Sequence, residues 1–188
     1  TVLSRGLGDV YKRQPLPLAE EAKVEQLQGP TRGQLKVQDG CDFMCSFCII
    51  PFARGRSRHR EFNNLCAEAE QQVASGIQEI VLTGVNLGTY DLEGRNLVDV
   101  VDFLDSLKDL QRIRISSIEP TTVDPGLLER MEDQSHKLVP FLHLPVQSGS
   151  NRILELMKRR YNALDYAREV EEAILKIPDL CVGADVMV

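Results

Sequence analysis

Residues 79–115 read EIVLTGVNLGTYDLEGRNLVDVVDFLDSLKDLQRIRI and contain the clearest structural pattern of the chain. Residues 79–83 and 112–115 have the character of short strands. Between them, residues 97–107 predict a helix, because their apolar side chains recur at three- and four-residue spacing on one face. A strand, an amphipathic helix and a second strand in this order indicate parallel pairing through a right-handed crossover.

The same alternation extends in both directions and predicts the fold class. We expect strands at residues 34–38, 79–83, 112–115, 138–144 and 180–188, and helices at residues 64–75, 97–107, 124–131, 150–157 and 163–175. The fold is therefore α/β, a partial (β/α) barrel of about five parallel strands with outer helices. A complete eight-stranded barrel needs roughly 250 residues. With 188 residues, this chain is expected to be truncated, at its C-terminus.

The composition excludes several classes of protein. Hydrophobic residues make up 43% of the chain and charged residues 27%, which is too apolar for a disordered protein. A run of about 18 apolar residues is missing, so we expect no membrane span. The net charge of −6 argues against a surface coated with nucleic-acid contacts but allows a local basic patch. Because the sequence shows no secretory signal, we expect a cytoplasmic protein.

The two ends of the chain do not follow the alternating pattern. Residues 1–14 show no periodicity, and residues 4–14 match the translation of a sequencing adapter, so natural sequence is expected to begin near Pro15. Residues 15–33 are polar and contain the turn signal Gly29-Pro30, which predicts a linker. The last residues, 182–188, are an apolar run without a turn or cap. We therefore expect a gene fragment that is open at both ends.

Three of the five cysteines lie within eight residues: Cys41, Cys45 and Cys48. An odd number clustered in one loop is a poor disulfide framework and a good metal site. Thiolates bind iron–sulfur clusters or zinc, but three cannot complete a structural zinc site without Cys66, His59 or another histidine. A four-iron cluster on three cysteines would leave one iron open to an exogenous ligand. An iron–sulfur cluster, a zinc site and a chance grouping all remain open at this point.

The spacing Cys41-x3-Cys45-x2-Cys48, with Phe47 before the last cysteine, resembles the signature of the radical S-adenosylmethionine (SAM) superfamily. The stretch KVQDGCDFMCSFCIIPFARGRSR, residues 36–58, resembles its methylthiotransferase branch, and most closely the threonylcarbamoyladenosine tRNA methylthiotransferases. HLPVQSGSNRILELMKR, residues 143–159, is typical of the whole branch. The resemblance implies an incomplete radical SAM core at residues 34–188. It also implies that an N-terminal second-cluster domain and a C-terminal RNA-binding domain are absent here.

The resemblance further implies a binding site at the carboxyl ends of the strands, where ligands of such folds bind. The three cysteines would hold a [4Fe-4S] cluster and leave its open iron to the amino and carboxylate groups of SAM. Phe47 would pack near the SAM adenine, and the loop at residues 83–86 would hold the SAM amino group. The candidate SAM-binding residues are Phe47, Gly84, Asn86, Glu119, Gln147, Ser148, Arg159 and Asp185.

Most of these residues also have a plain structural interpretation. Gly84 could serve only a turn, Glu119 could be a solvated turn residue, and Arg159 could lie on a helix surface. Asp185 lies in an apolar strand, where a carboxylate needs a partner, and this favours a role in the site. The two remaining cysteines, Cys66 and Cys181, are expected to be structural.

Arg54, Arg56, Arg58 and Arg60 alternate directly after the cysteines. Alternate side chains of an extended segment share one face. We expect that face to contact RNA phosphates, although a run of charges is also compatible with a solvated surface.

By resemblance, the expected reaction inserts a methylthio group at C2 of N6-threonylcarbamoyladenosine 37 in tRNA. The family's cluster passes one electron to SAM, and the resulting 5′-deoxyadenosyl radical abstracts the C2 hydrogen. The expected partners are tRNA and an electron donor such as flavodoxin or ferredoxin. Without the second cluster, this chain alone is expected to be inactive in the full reaction. The rival hypotheses are a sister enzyme for isopentenyladenosine tRNA, one for a ribosomal protein, and a zinc-binding module without activity.

Overall fold

The computed structural model describes residues 32–187. The expected adapter at residues 1–14 and nearly all of the expected linker at residues 15–33 lie outside the described residues, as does Val188. Arg32 and Gly33, which the predicted linker includes, are instead the first residues of a strand. Arg32 pairs with Glu79 of the neighbouring strand, both in the strand register and through an ion pair at 2.8 Å.

Short strands and helices alternate along the described residues. Residues 32–187 contain the strands β1 (Arg32–Lys36), β2 (Gln38–Asp39), β3 (Arg58–His59), β4 (Glu79–Thr83), β5 (Asp91–Leu92), β6 (Arg95–Asn96), β7 (Arg112–Ile115), β8 (Phe141–His143) and β9 (Cys181–Gly183). They also contain the helices α1 (Ile50–Ala53), α2 (Phe62–Ala74), α3 (Leu97–Ser106), α4 (Pro125–Glu132), α5 (Asn151–Leu156) and α6 (Ala163–Lys176). None of the helices in this part of the chain is long and apolar enough to cross a membrane.

The main strands form one parallel succession. β1, β4 and β7 pair in that order, and β8 pairs with β9. A parallel bridge between Ile113 and Leu138 joins the two groups, with the Ile113 amide 2.8 Å from the Lys137 carbonyl oxygen. The order is therefore β1-β4-β7-β8-β9, and the expected partial (β/α) barrel of five parallel strands with outer helices is confirmed.

An apolar layer lies between the strands and the helices. The strands contribute Leu35, Ile80, Leu82, Ile113 and Ile115, and the helices contribute Leu65, Ala69, Val100, Val101, Leu104, Leu127 and Ala173. Fully burying a side chain of the Val, Leu or Ile kind stabilises a fold by about 1.5–3 kcal/mol. This layer fixes the strands, and it therefore fixes the places where the loops after their carboxyl ends begin.

The helix boundaries follow local sequence signals. Asn96 and Asp99 form a capping box at the start of α3, and Asn162 and Asp165 form another at α6. Asp124 caps α4 by accepting a hydrogen bond from the Gly126 amide, and Pro125 occupies the first helical position. The five long helices begin and end within two residues of the predicted positions.

The last predicted strand, residues 180–188, is regular only over β9. Beyond it, Val186 rejoins the neighbouring segment through a bridge to Gln147. The apolar run at residues 182–188 indicates a buried strand, but Val186 and Met187 are 58% and 45% exposed, so that interpretation is wrong for this end. The reason is that, among the described residues, no strand pairs with the outer edge of β9.

Sequence periodicity missed the shortest elements. These are α1, the antiparallel pair β2–β3 that encloses the cysteines, and the hairpin β5–β6. Two-residue strands and a four-residue helix are too short to show a period. Long-range contacts determine them instead, as the pairing of Gln38 with His59 illustrates.

Candidate metal centre

The loop that carries the three cysteines, residues 41–49, is held by hydrogen bonds at its first residue and at Ser46. We call it the cysteine loop. The Cys41 amide donates to the Gly55 carbonyl oxygen at 3.1 Å, and the Ser46 amide donates to the Met157 carbonyl oxygen at 3.1 Å. The Ser46 hydroxyl donates to the Leu156 carbonyl oxygen at 2.7 Å. These contacts fix the loop between the arginine-rich segment and the end of α5, while all three thiols stay free.

The cysteine loop faces a cavity of about 170 Å³ at the carboxyl ends of the strands. The cavity wall contains the three cysteines and five of the predicted SAM-binding residues, which are Phe47, Asn86, Glu119, Gln147 and Arg159. The other wall residues were not singled out from the sequence, although Val85 belongs to the predicted loop at residues 83–86; they are Phe43, Val85, Ser117, Ile118 and Pro145. Four of these five follow the same strand ends as the predicted residues, and that position was the signal that could have found them.

The three thiols differ in burial. Cys41 is buried, whereas Cys45 and Cys48 are half-buried. Cys41 Sγ accepts a hydrogen bond from the Phe43 amide at 3.3 Å. Burial raises the pKa of the Cys41 thiol, the Phe43 amide opposes that rise, and the Cys45 and Cys48 thiolates add to it. Burial therefore makes Cys41 harder to deprotonate, and a bound metal would supply the positive charge that stabilises its thiolate as a ligand.

The arrangement suits a multi-iron cluster better than a single ion. Within residues 32–187, no three His, Cys, Asp or Glu side chains are grouped to hold one metal ion. A zinc site would need a fourth ligand, but Cys66 lies in α2 and the His59 ring packs on Tyr90 with centroids 5.7 Å apart. In a four-iron cluster the three thiolates bind three different irons, so they need not converge on one point.

Gln38 was missed as a site residue, yet its side chain connects two loops of the cavity. It is 0% exposed. Its Oε1 accepts hydrogen bonds from the Val85 and Asn86 amides at 2.8 and 2.9 Å. Its Nε2 donates to the Gly40 carbonyl oxygen at 2.6 Å and to the Ser57 hydroxyl at 2.9 Å. These contacts, which we call the Gln38 clamp, fix the cysteine loop relative to residues 84–86.

The loop after β4 contributes one residue that faces the cavity and one that does not. Asn86 is 4% exposed, and its Oδ1 accepts a hydrogen bond from the Thr122 hydroxyl at 3.1 Å. Gly84 lies outside the described cavity wall. A Cβ at Gly84 would lie 2.9 Å from Leu87 Cδ2 and 3.1 Å from Gln38 Oε1. The absence of a side chain at Gly84 therefore leaves room for the Gln38 clamp, and a SAM contact by Gly84 stays a prediction.

Glu119 and Arg159 form a buried ion pair in the cavity wall. Arg159 Nη2 donates to Glu119 Oε2 at 2.5 Å, and the side chains are 5% and 11% exposed, respectively. Burial raises the pKa of Glu119, and the Arg159 guanidinium opposes that rise. Glu119 Oε1 is buried and has no hydrogen-bond partner within the described part of the chain. An unpaired carboxylate oxygen in a cavity wall can accept a hydrogen bond from a ligand amine or hydroxyl group, which the amino and ribose groups of SAM provide.

The remaining predicted SAM ligands lie in different surroundings. Gln147 lines the cavity and has a φ of 66°, a strained backbone conformation of the kind found at binding sites. The Ser148 hydroxyl accepts a hydrogen bond from the Ser150 amide at 3.2 Å, and Asp185 lies 3.1 Å from His143 Nε2. Neither Ser148 nor Asp185 belongs to the described cavity wall. Asp185 lies beyond β9 with 66% of its side chain exposed, so the expectation that it needs a partner within an apolar strand is wrong, because solvent already reaches its carboxylate. SAM contacts by Ser148 and Asp185 stay predictions.

The four arginines do not lie on one extended face, so that expectation is wrong. Arg54 ends α1, and the chain turns at Gly55 before Arg58 enters β3. Arg54 and Arg58 both approach the buried carboxylate of Asp39, at 3.2 and 3.7 Å. Burial alone would raise the pKa of Asp39, but hydrogen bonds and charge from Lys36 and Arg54 hold it below its usual value.

Arg56 and Arg60 differ in accessibility. Arg56 is 80% exposed and pairs with Asp42 at 3.2 Å, whereas Arg60 is 12% exposed and pairs with Glu68 at 2.5 Å. An exposed ion pair contributes about 0.2–1 kcal/mol, so Arg56 can exchange Asp42 for a phosphate at little cost. RNA binding by the four arginines stays a prediction, and Arg56 is the best placed of them.

Gly40, which precedes the first cysteine, is packed closely against the backbone of residues 55–56. Its φ is 70°, and a Cβ there would lie 2.1 Å from the Arg56 carbonyl oxygen and 2.7 Å from that of Gly55. Both obstacles are backbone atoms that cannot rotate away. We predict that Gly40→Ala lowers the free energy of unfolding by at least about 2 kcal/mol, measured by urea denaturation.

Gly94→Ala is the matched control for Gly40→Ala. Gly94 has a φ of 77°, but a Cβ there would meet nothing within 4 Å. Gly94→Ala should therefore lower the free energy of unfolding only by the cost of placing alanine in a left-handed backbone conformation, about 1 kcal/mol. Equal losses in the two variants would contradict the prediction, because they would leave no contribution from the close contact with residues 55–56.

Comparison with known proteins identifies the family. The sequence profile of the radical SAM superfamily matches residues 35–188. The chain therefore belongs to the radical SAM superfamily, whose cofactors are a [4Fe-4S] cluster and SAM. Within that superfamily it is similar to the tRNA methylthiotransferases, and the resemblance seen in the sequence is confirmed.

Two curated relatives illustrate this similarity. The chain is 40% identical over 172 residues to the threonylcarbamoyladenosine tRNA methylthiotransferase MtaB of Bacillus subtilis (strain 168), which covers 90% of this chain and 38% of the relative. It is also 40% identical over 175 residues to a tRNA-2-methylthio-N(6)-dimethylallyladenosine synthase of Cereibacter sphaeroides, covering 90% of this chain and 40% of the relative. The chain thus spans about two fifths of the length of these relatives.

Solved structures of the superfamily share the fold. The radical SAM methyltransferase TsrM from Kitasatospora setae, solved with cobalamin and a [4Fe-4S] cluster, matches with a TM-score of 0.64 and 19% identity, over 82% of this chain and 30% of TsrM. The cobalamin-dependent radical SAM enzyme OxsB matches with a TM-score of 0.59 and 14% identity, over 81% of this chain and 23% of OxsB. At these identities the similarity concerns the fold alone.

Proposed function

We propose that this chain is the radical SAM core of a tRNA methylthiotransferase. The observation that carries the proposal is the cavity in which the cysteine loop meets polar groups from the loops after β4, β7 and β8. A cluster held by three cysteines keeps one open iron, and SAM would bind that iron. The cavity must therefore accommodate both the amino-acid part and the nucleoside part of SAM. The proposed transfer of a methylthio group and the proposed tRNA substrate both rest on the names of the two curated relatives.

The residues of the cavity have distinct roles in this proposal. Cys41, Cys45 and Cys48 hold the cluster, which when bound supplies the electron for reductive cleavage of SAM. Glu119 accepts a hydrogen bond from the SAM amino group or ribose through its unpaired Oε1. Phe47 contributes an apolar part of the cavity wall and packs near the SAM adenine.

We favour N6-threonylcarbamoyladenosine 37 of tRNA as the substrate, modified at C2. The support is the pair of motifs QDGC at residues 38–41 and IIPFARGRSR at residues 49–58, which resemble that subfamily. A second candidate is the isopentenyl (dimethylallyl) adenosine of tRNA, because a relative named for that nucleoside is also 40% identical.

The partners follow from the same proposal. The chain spans 38–40% of its two relatives, so we propose that the second cluster and an RNA-binding domain belong to sequence outside this chain. The enzyme takes its electron from flavodoxin or ferredoxin and acts on tRNA in the cytoplasm. This chain alone does not methylthiolate tRNA.

The experiment that tests the cofactor site is anaerobic reconstitution with iron and sulfide, followed by electron paramagnetic resonance (EPR). We expect about four irons per chain, because a [4Fe-4S] cluster is the cofactor of the radical SAM superfamily to which the chain belongs. The spectrum of the reduced cluster should change on addition of SAM, since SAM would bind the open iron. One zinc per chain, with no iron and no response to SAM, would overturn the proposal.

The substrate is tested with the full-length gene. Expression in a bacterial strain that lacks its own tRNA methylthiotransferases, followed by mass spectrometry of tRNA nucleosides, separates the two candidates. We expect 2-methylthio-N6-threonylcarbamoyladenosine. Appearance of the methylthiolated isopentenyladenosine alone would reject the favoured substrate and support the second one.

A further inference from the structure

Arg159 lies shortly after α5 and is fixed by polar contacts on several sides. Its Nε donates to the Tyr161 hydroxyl at 3.1 Å, and its Nη1 lies 3.4 Å from Cys45 Sγ. Its Nη2 donates to Glu119 Oε2 at 2.5 Å and lies 3.5 Å from the Pro145 carbonyl oxygen. Only 5% of the side chain is exposed. The guanidinium therefore cannot turn to another partner without losing buried contacts.

Tyr161 supports Arg159 from behind. The Tyr161 hydroxyl lies 2.9 Å from the Pro145 carbonyl oxygen and 3.0 Å from that of Val146. The Arg159 guanidinium lies over the Tyr161 ring, with Arg159 Cζ 5.1 Å from the ring centroid. Burial raises the pKa of Tyr161, so it remains a neutral hydroxyl at physiological pH. Arg159 is thus held against Cys45 by the protein itself.

We infer that Arg159 raises the reduction potential of the cluster through its hydrogen bond to Cys45 Sγ. The inference rests on the proposed function, because Cys45 must be a cluster ligand. Reduction adds one electron to the cluster and makes its thiolate ligands more negative, while no bond forms or breaks. A positively charged donor stabilises that state more than the oxidised one, and hydrogen bonds to the ligand sulfurs are known to set such potentials.

Glu119 has the opposite effect on the same property. Its carboxylate compensates the charge of Arg159, which reduces the positive field at Cys45. Removing that carboxylate charge while keeping the shape, as in Glu119→Gln, therefore raises the potential. Removing the guanidinium, as in Arg159→Gln, lowers it. Two shifts of opposite sign separate an electrostatic role from loss of packing, which has no reason to give opposite signs.

The experiment is a dithionite titration of the reconstituted chain without SAM, in which EPR measures the reduced cluster at each potential. For Arg159→Gln we expect about a tenfold fall in the ratio of reduced to oxidised cluster at a fixed potential, which is ~59 mV for a one-electron couple. For Glu119→Gln we expect a rise of similar size.

Arg160→Gln is the matched control, because it removes the same charge one residue away. The Arg160 guanidinium lies 3.7 Å over the Phe43 ring rather than against a thiol. The Arg160 charge also acts on Glu119, but less than that of Arg159, and because the side chain is exposed, solvent and salt screen it. The ratio should therefore change by less than about threefold.

The outcomes separate this inference from the proposed function. Unchanged potentials in Arg159→Gln and Glu119→Gln, with iron retained, would overturn the inference alone, and so would two shifts of the same sign. A wild-type chain that takes up no iron would overturn both. If Arg159→Gln does not fold, Glu119→Gln still decides the sign, because a potential that does not rise contradicts the compensation of Arg159.

Discussion

Replacing Cys41 by serine is expected to remove nearly all cluster iron from the reconstituted chain. Cys41 is the most buried of the three thiols, and its backbone is fixed by the hydrogen bond to Gly55. The two remaining thiols, Cys66 and Cys181, do not line the cavity, so neither is placed to substitute for it. Loss of a residue that only supports a metal ligand lowers affinity by about 10–100-fold, so loss of a ligand should exceed about 100-fold. Iron and sulfide per chain after anaerobic reconstitution measure the effect.

Cys66→Ser is the matched control for Cys41→Ser. Cys66 is half-buried in α2 and does not belong to the cavity wall. It should retain the wild-type iron content. Retention of iron in Cys41→Ser would refute the assignment of Cys41 as a ligand. Loss of metal in both variants would instead point to a site that includes Cys66, which is one of the fourth ligands that the zinc hypothesis allows.

The fold was predictable from the sequence because the same strand–helix–strand pattern recurs along the chain. Residues 79–115 already contain two strands and the helix between them, and α3 buries the predicted apolar face with Val100, Val101 and Leu104. Parallel pairing through right-handed crossovers then leaves few possible strand orders. The prediction failed at Val186, whose burial depends on a neighbouring strand that the described residues do not include.

The site was predictable in outline for a similar reason. Ligands of parallel α/β folds bind at the carboxyl ends of the strands, so motifs after successive strands were expected to meet. The cavity confirms that Asn86, Glu119 and Gln147 meet the cysteine loop. What the sequence could not show was the partner of each polar group. Arg159 joins Glu119 across 40 residues, and no local pattern reports a contact of that separation.

The arginine run shows the same limit. Alternation in the sequence predicted one shared face, but a pattern of charges does not reveal a turn at Gly55 or the position of Asp39. The buried carboxylate of Asp39 attracts Arg54 and Arg58 toward the start of the cysteine loop. Part of what resembles an RNA-binding surface in the sequence is therefore also structural support for the metal centre.

Replacing Gln38 by methionine is expected to lower the free energy of unfolding by about 3–5 kcal/mol, because it removes the Gln38 clamp. Methionine fills a similar volume but cannot accept the hydrogen bonds from the Val85 and Asn86 amides. It also leaves the Gly40 carbonyl oxygen without its donor at 2.6 Å. Each buried backbone group left unpaired costs about 1–3 kcal/mol, and methionine leaves at least three such groups. Urea denaturation of the chain measures the loss.

Gln34→Met is the matched control, because Gln34 lies on β1 with an exposed side chain. This variant should change the free energy of unfolding by less than about 0.5 kcal/mol.

The Gln38 clamp also predicts a second effect that general destabilisation of the fold does not. Gln38 holds the loop of Asn86 against the cysteine loop, so its loss should weaken the SAM-induced change in the EPR spectrum of chains that still contain the cluster. Gln38→Met protein with the wild-type response to SAM would show that the cysteine loop and the loop at residues 84–86 keep their relative positions without the clamp.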